Sequence, residues 1–359
     1  MPLIGRFLKQ TTAISYRKNA KKTQGYKEQK NVLHYLLTKA KTTKFGLAHE
    51  FGAILNNDMV SSYQSSIPIM DYDAFYEKWL KYSILGEKDN TWRGRIKYYA
   101  LSSGTTGSPS KRIPVTSEMI RSFQKSSLKQ LSILHSLDLP QSFYSTSILT
   151  VGGSTKLNYK DTHVEGDLSG ILKKHTSFIA TPFTKPGVRI SGVKDWSKKL
   201  DLIVEKAPKW DVGIIAGIPS WCIMLLERIV EHYKLNSIHD IWPNLYVYVH
   251  GGVYMEPYRQ RLNAILSRPL DLLDTYLASE GYFGYQEETA QQGMKLLLNN
   301  GIFFEFIPFN TDNFDEHGVV KKEASAYTIE QVKEGVDYAL VISTNAGLWR
   351  YLIGDLVRF

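Results

Sequence analysis

The sequence predicts an α/β protein, with mostly parallel sheets flanked by helices and a smaller antiparallel β subdomain at the end. Three observations carry this reading. From Ile96 onward, short β-rich runs end in Gly/Ser/Thr turns and give way to helical stretches, the alternation that builds parallel sheets through helical crossovers. The runs TSILTVGG, DVGIIAGIPS and LYVYVHGG repeat one pattern, a strand closed by a tight glycine turn. After about Gln292 the strand-like segments follow one another with almost no helix between them.

Taken in order, the chain before Ile96 reads as helical, because NVLHYLLTKA and DYDAFYEKWLKYSIL carry apolar residues at helix spacing. RIKYYALSSG is a strand running into a Ser/Gly loop, and Thr-Ser-Glu at Thr116 has the residues of a helix start. WCIMLLERIVEHY and EPYRQRLNAILS are the helices after the second and third strand–glycine units. MKLLLNN, GIFFEFIPF, YALVIST and LWRYLIGDLVRF are strands, with a helix only near Ile329 to Glu334. The chain thus divides into an α/β region over 1–292 and a β-rich subdomain over 293–359.

The length of 359 residues suits one very large domain or two ordinary ones. A hydrophobic share of 43% with 22% charged residues fits a globular protein and argues against disorder. The net charge of +9 admits nucleic acid, an anionic membrane surface or a phosphorylated small molecule as partner. Much of the excess lies between Met1 and Lys27, where Arg6, Lys9, Arg17, Lys18, Lys21, Lys22 and Lys27 meet no acid. That local surplus, with no helix-turn-helix, zinc-finger or RNA-binding signature, argues against a nucleic-acid partner. The same stretch could mimic a transit peptide, but reads better as a plain amphipathic first helix. No run approaches the about 20 apolar residues of a membrane span, and no secretory signal is evident, so no membrane partner is expected. One cysteine, Cys222, excludes an intrachain disulfide and lies in the apolar run IPSWCIMLLERIV, as a buried structural thiol would. Cysteine poverty suits a cytoplasmic setting.

Three stretches carry chemistry. In YYALSSGTTGSPSKRIPVT, residues Ser102 to Lys111 follow a strand, and ligands of open α/β sheets sit at carboxyl ends of strands. Glycines let backbone N–H groups approach an anion, hydroxyls add donors, and Lys111 adds positive charge. This is not a Walker loop, since Ser108, Pro109 and Ser110 separate Gly107 from the lysine. In TYLASEGYFGYQ, Glu280 follows a β-rich segment, where a carboxylate could hold Mg²⁺, although an isolated Ser-Glu-Gly reads as a capping or surface glutamate. In RYLIGDLVRF, Asp355 follows Gly354 at a break within a strand, and alone it would be a turn or bulge. The histidines show no metal spacing, and His250 beside two glycines is either structural or near a ligand.

As a set, in this order, these stretches resemble the adenylate-forming superfamily. With GIPSWCIMLLE, HGGVYMEP, FFEFIPF, GLWRYLIGD and TPFTKPGVRISGVKDW, the chain from Ile67 onward looks like the Gretchen Hagen (auxin-responsive) acyl acid amido synthetases, particularly bacterial-type members. The resemblance implies the large N-terminal domain of such an enzyme, with a β-barrel-like final subdomain, and ATP with Mg²⁺ as cofactors. It implies adenylation of a small carboxylic acid, then acyl transfer to an amine, an amino acid. Acyl transfer to the thiol of coenzyme A, or a nucleotide-binding module that has lost catalysis, are the alternatives. By motif, Ser102, Ser103, Gly104, Thr105, Thr106 and Gly107 would grip the phosphates, with Lys111 as the catalytic lysine. Gly251, Gly252 and Tyr276 would bind adenine, Glu280 the metal and Asp355 the ribose. Members of the superfamily continue into a mobile C-terminal lid. Because the sequence stops in mid-strand at Phe359, the expectation is a chain without that lid, and poorly active for its lack.

Overall fold

The structure is a computed structural model that describes residues 24–102, 110–176, 181–288 and 293–359. The expected amphipathic first helix, and Ser103 to Gly107 of the phosphate loop, lie outside the described residues. The described chain packs as two units, one made of residues 24–122, 159–165 and 298–359, the other of 123–158 and 166–297.

The unit that begins at residue 24 opens with helix α1, Gly25–Ala40, whose buried face is Val32, Leu33, Leu36, Leu37 and Ala40. That spacing is the apolar stripe of a half-buried helix. Gln29 lies on the same face. Its amide donates to Leu298 O (2.7 Å) and Ile302 O (3.0 Å), and its oxygen accepts from Phe304 N–H (2.7 Å). DYDAFYEKWLKYSIL is helical over Tyr72–Ile84, with a π-type turn at Tyr76–Leu80.

Strand β1, Tyr98–Ser102, does not lead directly into a helix. It pairs antiparallel with β2, Lys111–Val115, in a sheet ordered β2-β1-β5-β4, with β4 at Asn158–Tyr159 and β5 at Val164–Gly166. The sequence reading, a strand and a Ser/Gly loop followed directly by a helix, is corrected here, because β2 stands between the loop and the helix. Pro114 makes KRIPV look like a breaker, yet β2 is an edge strand, where a missing N–H leaves no ladder bond unmade. The helix start at Thr116 is as expected. Thr116 Oγ1 accepts from Met119 N–H (3.1 Å) ahead of helix α2, Ser117–Leu131.

The last segment supplies an antiparallel sheet of β12, Ile302–Pro308, β13, Asp337–Thr344, and β14, Tyr351–Arg358. Residues 329–334 form turns rather than the expected helix. Gln331 Oε1 accepts from both the N–H and the hydroxyl of Thr328, and Lys333 N–H donates to the Tyr338 hydroxyl, bonds that replace helical ones. Trp349, fully buried, stacks on Phe45 (5.7 Å between centroids), meets Phe51 edge-on (4.8 Å) and donates from Nε1 to Thr91 O (2.9 Å).

Beside it lies a buried ion pair. Arg350 Nε and Nη2 donate to the two oxygens of Glu305 (3.1 and 2.9 Å), and Nη1 donates to Gln64 O and Ile67 O (2.6 Å each). Glu305 is 0% exposed and Arg350 6%.

The other unit holds a sheet ordered β11-β10-β9-β8-β7-β3-β6. Ser147–Val151 (β3), Thr184–Lys185 (β6), Val212–Gly217 (β7), Val247–Gly251 (β8) and Asp271–Ala278 (β9) run parallel. Gly281–Tyr285 (β10) and Lys295–Leu296 (β11) add antiparallel strands at one edge, so MKLLLNN contributes only a short strand. Helices α3, Leu168–Lys174, α4, Trp196–Lys206, α5, Pro219–His232, and α6, Glu256–Ala264, complete the unit. Leu149, Ile215 and Tyr248 of the sheet form one core with Leu200 and Ile203 of α4 and with Ile223 and Leu226 of α5. Cys222 is buried in that core, and burial pushes its thiol up to about 12, so it is the inert thiol the sequence suggested.

The glycine ends of these strands allow close approach. A Cβ on Gly251 would lie 2.3 Å from Thr275 Oγ1 and 2.4 Å from Thr275 O. Gly251→Ala should therefore cost about 1–3 kcal/mol of stability, visible as a lower urea midpoint. In the first unit, Arg350→Leu leaves the Glu305 carboxylate buried without its partner and should cost about 3–5 kcal/mol. Replacing both residues together by leucine should recover much of that loss on the same denaturation curve.

Candidate functional site

In the unit with the parallel sheet, the candidate residues gather at the carboxyl ends of β8 and β9. Gly251 closes β8 opposite Thr275 of β9, and Gly252 turns the chain away at φ +81°. Thr275 donates from Oγ1 to His250 O (2.7 Å), which fixes the spacing of the two strand ends. Tyr276 follows Thr275, is half-buried, and meets the ring of Phe283 edge-on at 4.8 Å. Glu280 stands in the two-residue turn that joins β9 to β10, where Ala278 and Gly281 are cross-strand partners. It is only 7% exposed, which excludes a plain surface glutamate. The structure thus brings Gly251, Gly252 and Tyr276 to the carboxyl ends of two adjacent strands and Glu280 to the hairpin turn that follows. Mg²⁺ is commonly held by one or two carboxylates together with substrate phosphates, and a single buried carboxylate of this kind fits that role. Among the described residues no group of three metal-ligating side chains is found.

His250 is 5% exposed, with Nδ1 3.3 Å from Asp274 Oδ1 but not aligned as a hydrogen bond. Asp274 instead accepts from Thr275 N–H (2.8 Å). The histidine packs edge-on against Tyr248, 5.6 Å between centroids.

In the other unit, Ser102 and Lys111 are cross-strand partners at the open end of β1 and β2. The Lys111 ammonium lies 5.4 Å from the centre of the Tyr72 ring, and the Tyr72 hydroxyl accepts from Arg112 N–H (2.8 Å). Arg112 reaches across β1 to Glu165 on β5 (Nε to Oε2, 3.0 Å). Burial alone would raise the Glu165 carboxyl. The Arg112 bond and charge, with His163 and Lys160, hold it below the usual carboxylate range. Asp355 lies on β14 just after Gly354 (φ +96°), exposed, where the pairing with β13 shifts register. The helical turn Tyr72–Phe75 packs against β14, so one short element touches both the strand of Asp355 and the lysine end of the hairpin.

Tyr72, Arg112, Glu165 and Thr275 escaped the sequence reading, because each acts through a partner distant in the chain or across a strand. Two lysines of the same unit also escaped it, half-buried Lys173 and buried Lys199. Lys199 occupies a core-face position of α4 beside Leu200, Ile203 and Val204, and is 3% exposed. A lysine in register with an apolar helical stripe is a signal that could have been read.

No helix among the described residues is long and apolar enough to cross a membrane. A model of the GH3 family N-terminal domain matches residues 17–156 and 134–270, and one of the GH3 family central domain matches residues 295–359. The probable indole-3-acetic acid-amido synthetase GH3.6 of Oryza sativa subsp. japonica is 30% identical over 166 residues, 44% of this chain and 33% of that protein. The indole-3-acetic acid-amido synthetase GH3.2 of Arabidopsis thaliana is 35% identical over 128 residues, 34% of this chain and 23% of that protein. Among solved structures, a GH3.15 acyl acid amido synthetase superimposes with a TM-score of 0.72 at 16% identity, over 94% of this chain and 65% of that one. A 2-hydroxyisobutyryl-CoA ligase does so with a TM-score of 0.58 at 14% identity, over 94% and 64%. At those identities the likeness establishes the fold, the expected α/β architecture of adenylate-forming enzymes. The chain spans less than two thirds of the length of each of these proteins. The two family models together match well over half of its residues, and the chain belongs to the GH3 family, across that family's N-terminal and central domains.

Proposed function

We propose that the protein is part or all of an ATP-dependent ligase that adenylates a carboxylic acid and passes the acyl group to an amine, an amino acid. The observation that carries this reading is the family membership, together with the motif residues Gly251, Gly252 and Tyr276 at the carboxyl ends of β8 and β9 and Glu280 in the next turn. In the first step a carboxylate oxygen attacks the α-phosphorus of ATP, the bond to the bridging oxygen breaks, and pyrophosphate leaves. In the second, the amine nitrogen attacks the acyl carbon, AMP leaves, and the amine proton passes to solvent. Displacement at phosphorus needs positioned charge rather than a protein nucleophile, which suits a chain whose candidate residues are glycines, hydroxyls, one lysine and two carboxylates.

Ser102, Ser103, Gly104, Thr105, Thr106 and Gly107 would hold the phosphates, and Lys111 would offset the charge that develops on them. The approach of the Lys111 ammonium to the Tyr72 ring supports a lysine held near the strand end by a weak, releasable contact. Gly251 and Gly252, with backbone unshielded by side chains, would face adenine beside Tyr276. Asp355 would accept hydrogen bonds from the ribose hydroxyls. Mg²⁺ bound at Glu280 would neutralise phosphate charge. Residues 1–292 would then form the nucleotide- and acyl-binding region, and 293–359 the subdomain that carries the ribose carboxylate.

Pyrophosphate–ATP exchange that depends on an added carboxylic acid tests this. Glu280→Ala and Asp355→Ala should each lower exchange by roughly 10²-fold or more, with the far-ultraviolet circular dichroism unchanged. Exchange indifferent to both substitutions would defeat the assignment. Offering amino acids and coenzyme A separately should give an amide with the former, whereas a thioester alone would reassign the second step.

A further inference from the structure

Lys173 and Lys199 converge on the carboxyl end of β3, in the unit with the parallel sheet. Lys199 comes from α4 and donates from Nζ to Gly152 O (3.1 Å), while Lys173 comes from α3 and donates to Thr150 Oγ1 (2.8 Å). The turn they face is held rigidly. Gly153 N–H donates to Ser169 Oγ (2.9 Å), and a Cβ on Gly153 or Gly170 would collide with Asp167 or with Ser154 O at 2.3 and 2.2 Å. The β3 turn and the start of α3 therefore fit together only with glycine at these positions.

Charge at this place is not balanced. An ammonium taken out of water costs several kcal/mol unless it is paired, and Lys199 is 3% exposed. Among the described residues no carboxylate lies within ion-pair distance of either lysine. Asp167 is the anion whose field reaches Lys199, and Lys199 is the charge that bears on Lys173. Two cations and one carboxylate leave net positive charge at a turn whose Gly152, Gly153 and Ser154 are half-buried and so reachable from solvent.

We infer that Lys173 and Lys199 form a binding site for an oxyanion, a carboxylate or a phosphoryl group, at the carboxyl end of β3. The site lies two strands from Gly251 in the order β8-β7-β3, roughly 10 Å at the usual strand spacing. It is distinct from the residues assigned to ATP and does not rest on that assignment. An anion here meets two donors of fixed direction and displaces no existing ion pair. Burial and the neighbouring Lys199 pull the Lys173 ammonium down to about 8. The anion needs the protonated form, so affinity is full below pH 8 and falls as the pH rises through it.

Calorimetric titration of the chain with sulfate, and separately with benzoate, tests this with probes whose charge does not change over the range used. At pH 7 at least one should show a binding component that Lys173→Met and Lys199→Met each weaken by roughly tenfold or more. In the unsubstituted chain that component should weaken by roughly tenfold between pH 7 and about pH 9.5. Lys173→Arg, which stays protonated, should keep the binding and flatten the fall. A response to sulfate assigns the site to phosphoryl groups, a response to benzoate to carboxylates. If neither anion gives a component that the methionine variants remove, or if Lys173→Arg binds no better than Lys173→Met, the inference is overturned. Should Lys199→Met fail to fold, the two Lys173 variants, at a half-buried position, decide the matter alone.

Discussion

The buried contact between Arg350 and Glu305 organises the unit that carries Asp355. Arg350 is held at every polar point. Its guanidinium is shared between Glu305 and two carbonyls, its N–H donates to Ser343 Oγ (3.0 Å), and its carbonyl accepts from Met70 N–H (3.0 Å). The backbone there is left-handed, φ +42°, an unfavourable conformation for a long side chain that persists only where surroundings fix it. Ser343 is in turn hydrogen-bonded to the Tyr63 hydroxyl (2.6 Å), and Gln64 donates to Glu305 (3.0 Å). One well-paired charge thus joins the helix around Tyr63, the edge strand β12, the central strand β13 and the start of β14.

The same rule separates a structural ion from a binding one. Arg350 has a full carboxylate and two carbonyls, so nothing remains for a ligand. Lys199 is buried and Lys173 half-buried, but each donates to one neutral oxygen. A charge that is desolvated and only partly paired is costly to keep, and such charges are retained where something else uses them.

What the sequence revealed follows from range. The three glycine-ended strands were legible because a parallel strand and its turn are encoded within eight or so neighbouring residues. The bulge at Gly354 and the thiol of Cys222 were legible for the same reason. The hairpin partner of β1 was not, since Lys-Arg-Ile-Pro-Val looks poor as a strand until its edge position is known. Ile329 to Glu334 has helical composition, but side-chain bonds from Thr328 and to Tyr338 outweigh a helix too short to nucleate. The supports of the candidate site, Tyr72 under Lys111 and Thr275 against Gly251, are pairings set by tertiary contact. Of the candidate site, the motif residues stand out in the sequence, whereas the atoms that hold them in place do not.

The two candidate carboxylates share a device. Glu280 is carried on a two-residue turn between paired strands. Asp355 is carried on a bulge, because Val341 pairs with Leu352 and Ala339 with Leu356, leaving residues 353–355 opposite residue 340 alone. The first is the closed end of a hairpin and the second has paired residues on both sides, so the sheet holds the backbone of each in place before any ligand arrives. Two extra residues in β14 also return the strand to its original alternation of faces, so the bulge leaves the facing of the residues on either side unchanged. A glycine at positive φ makes the bulge possible, and β-pairing on either side keeps it from wandering.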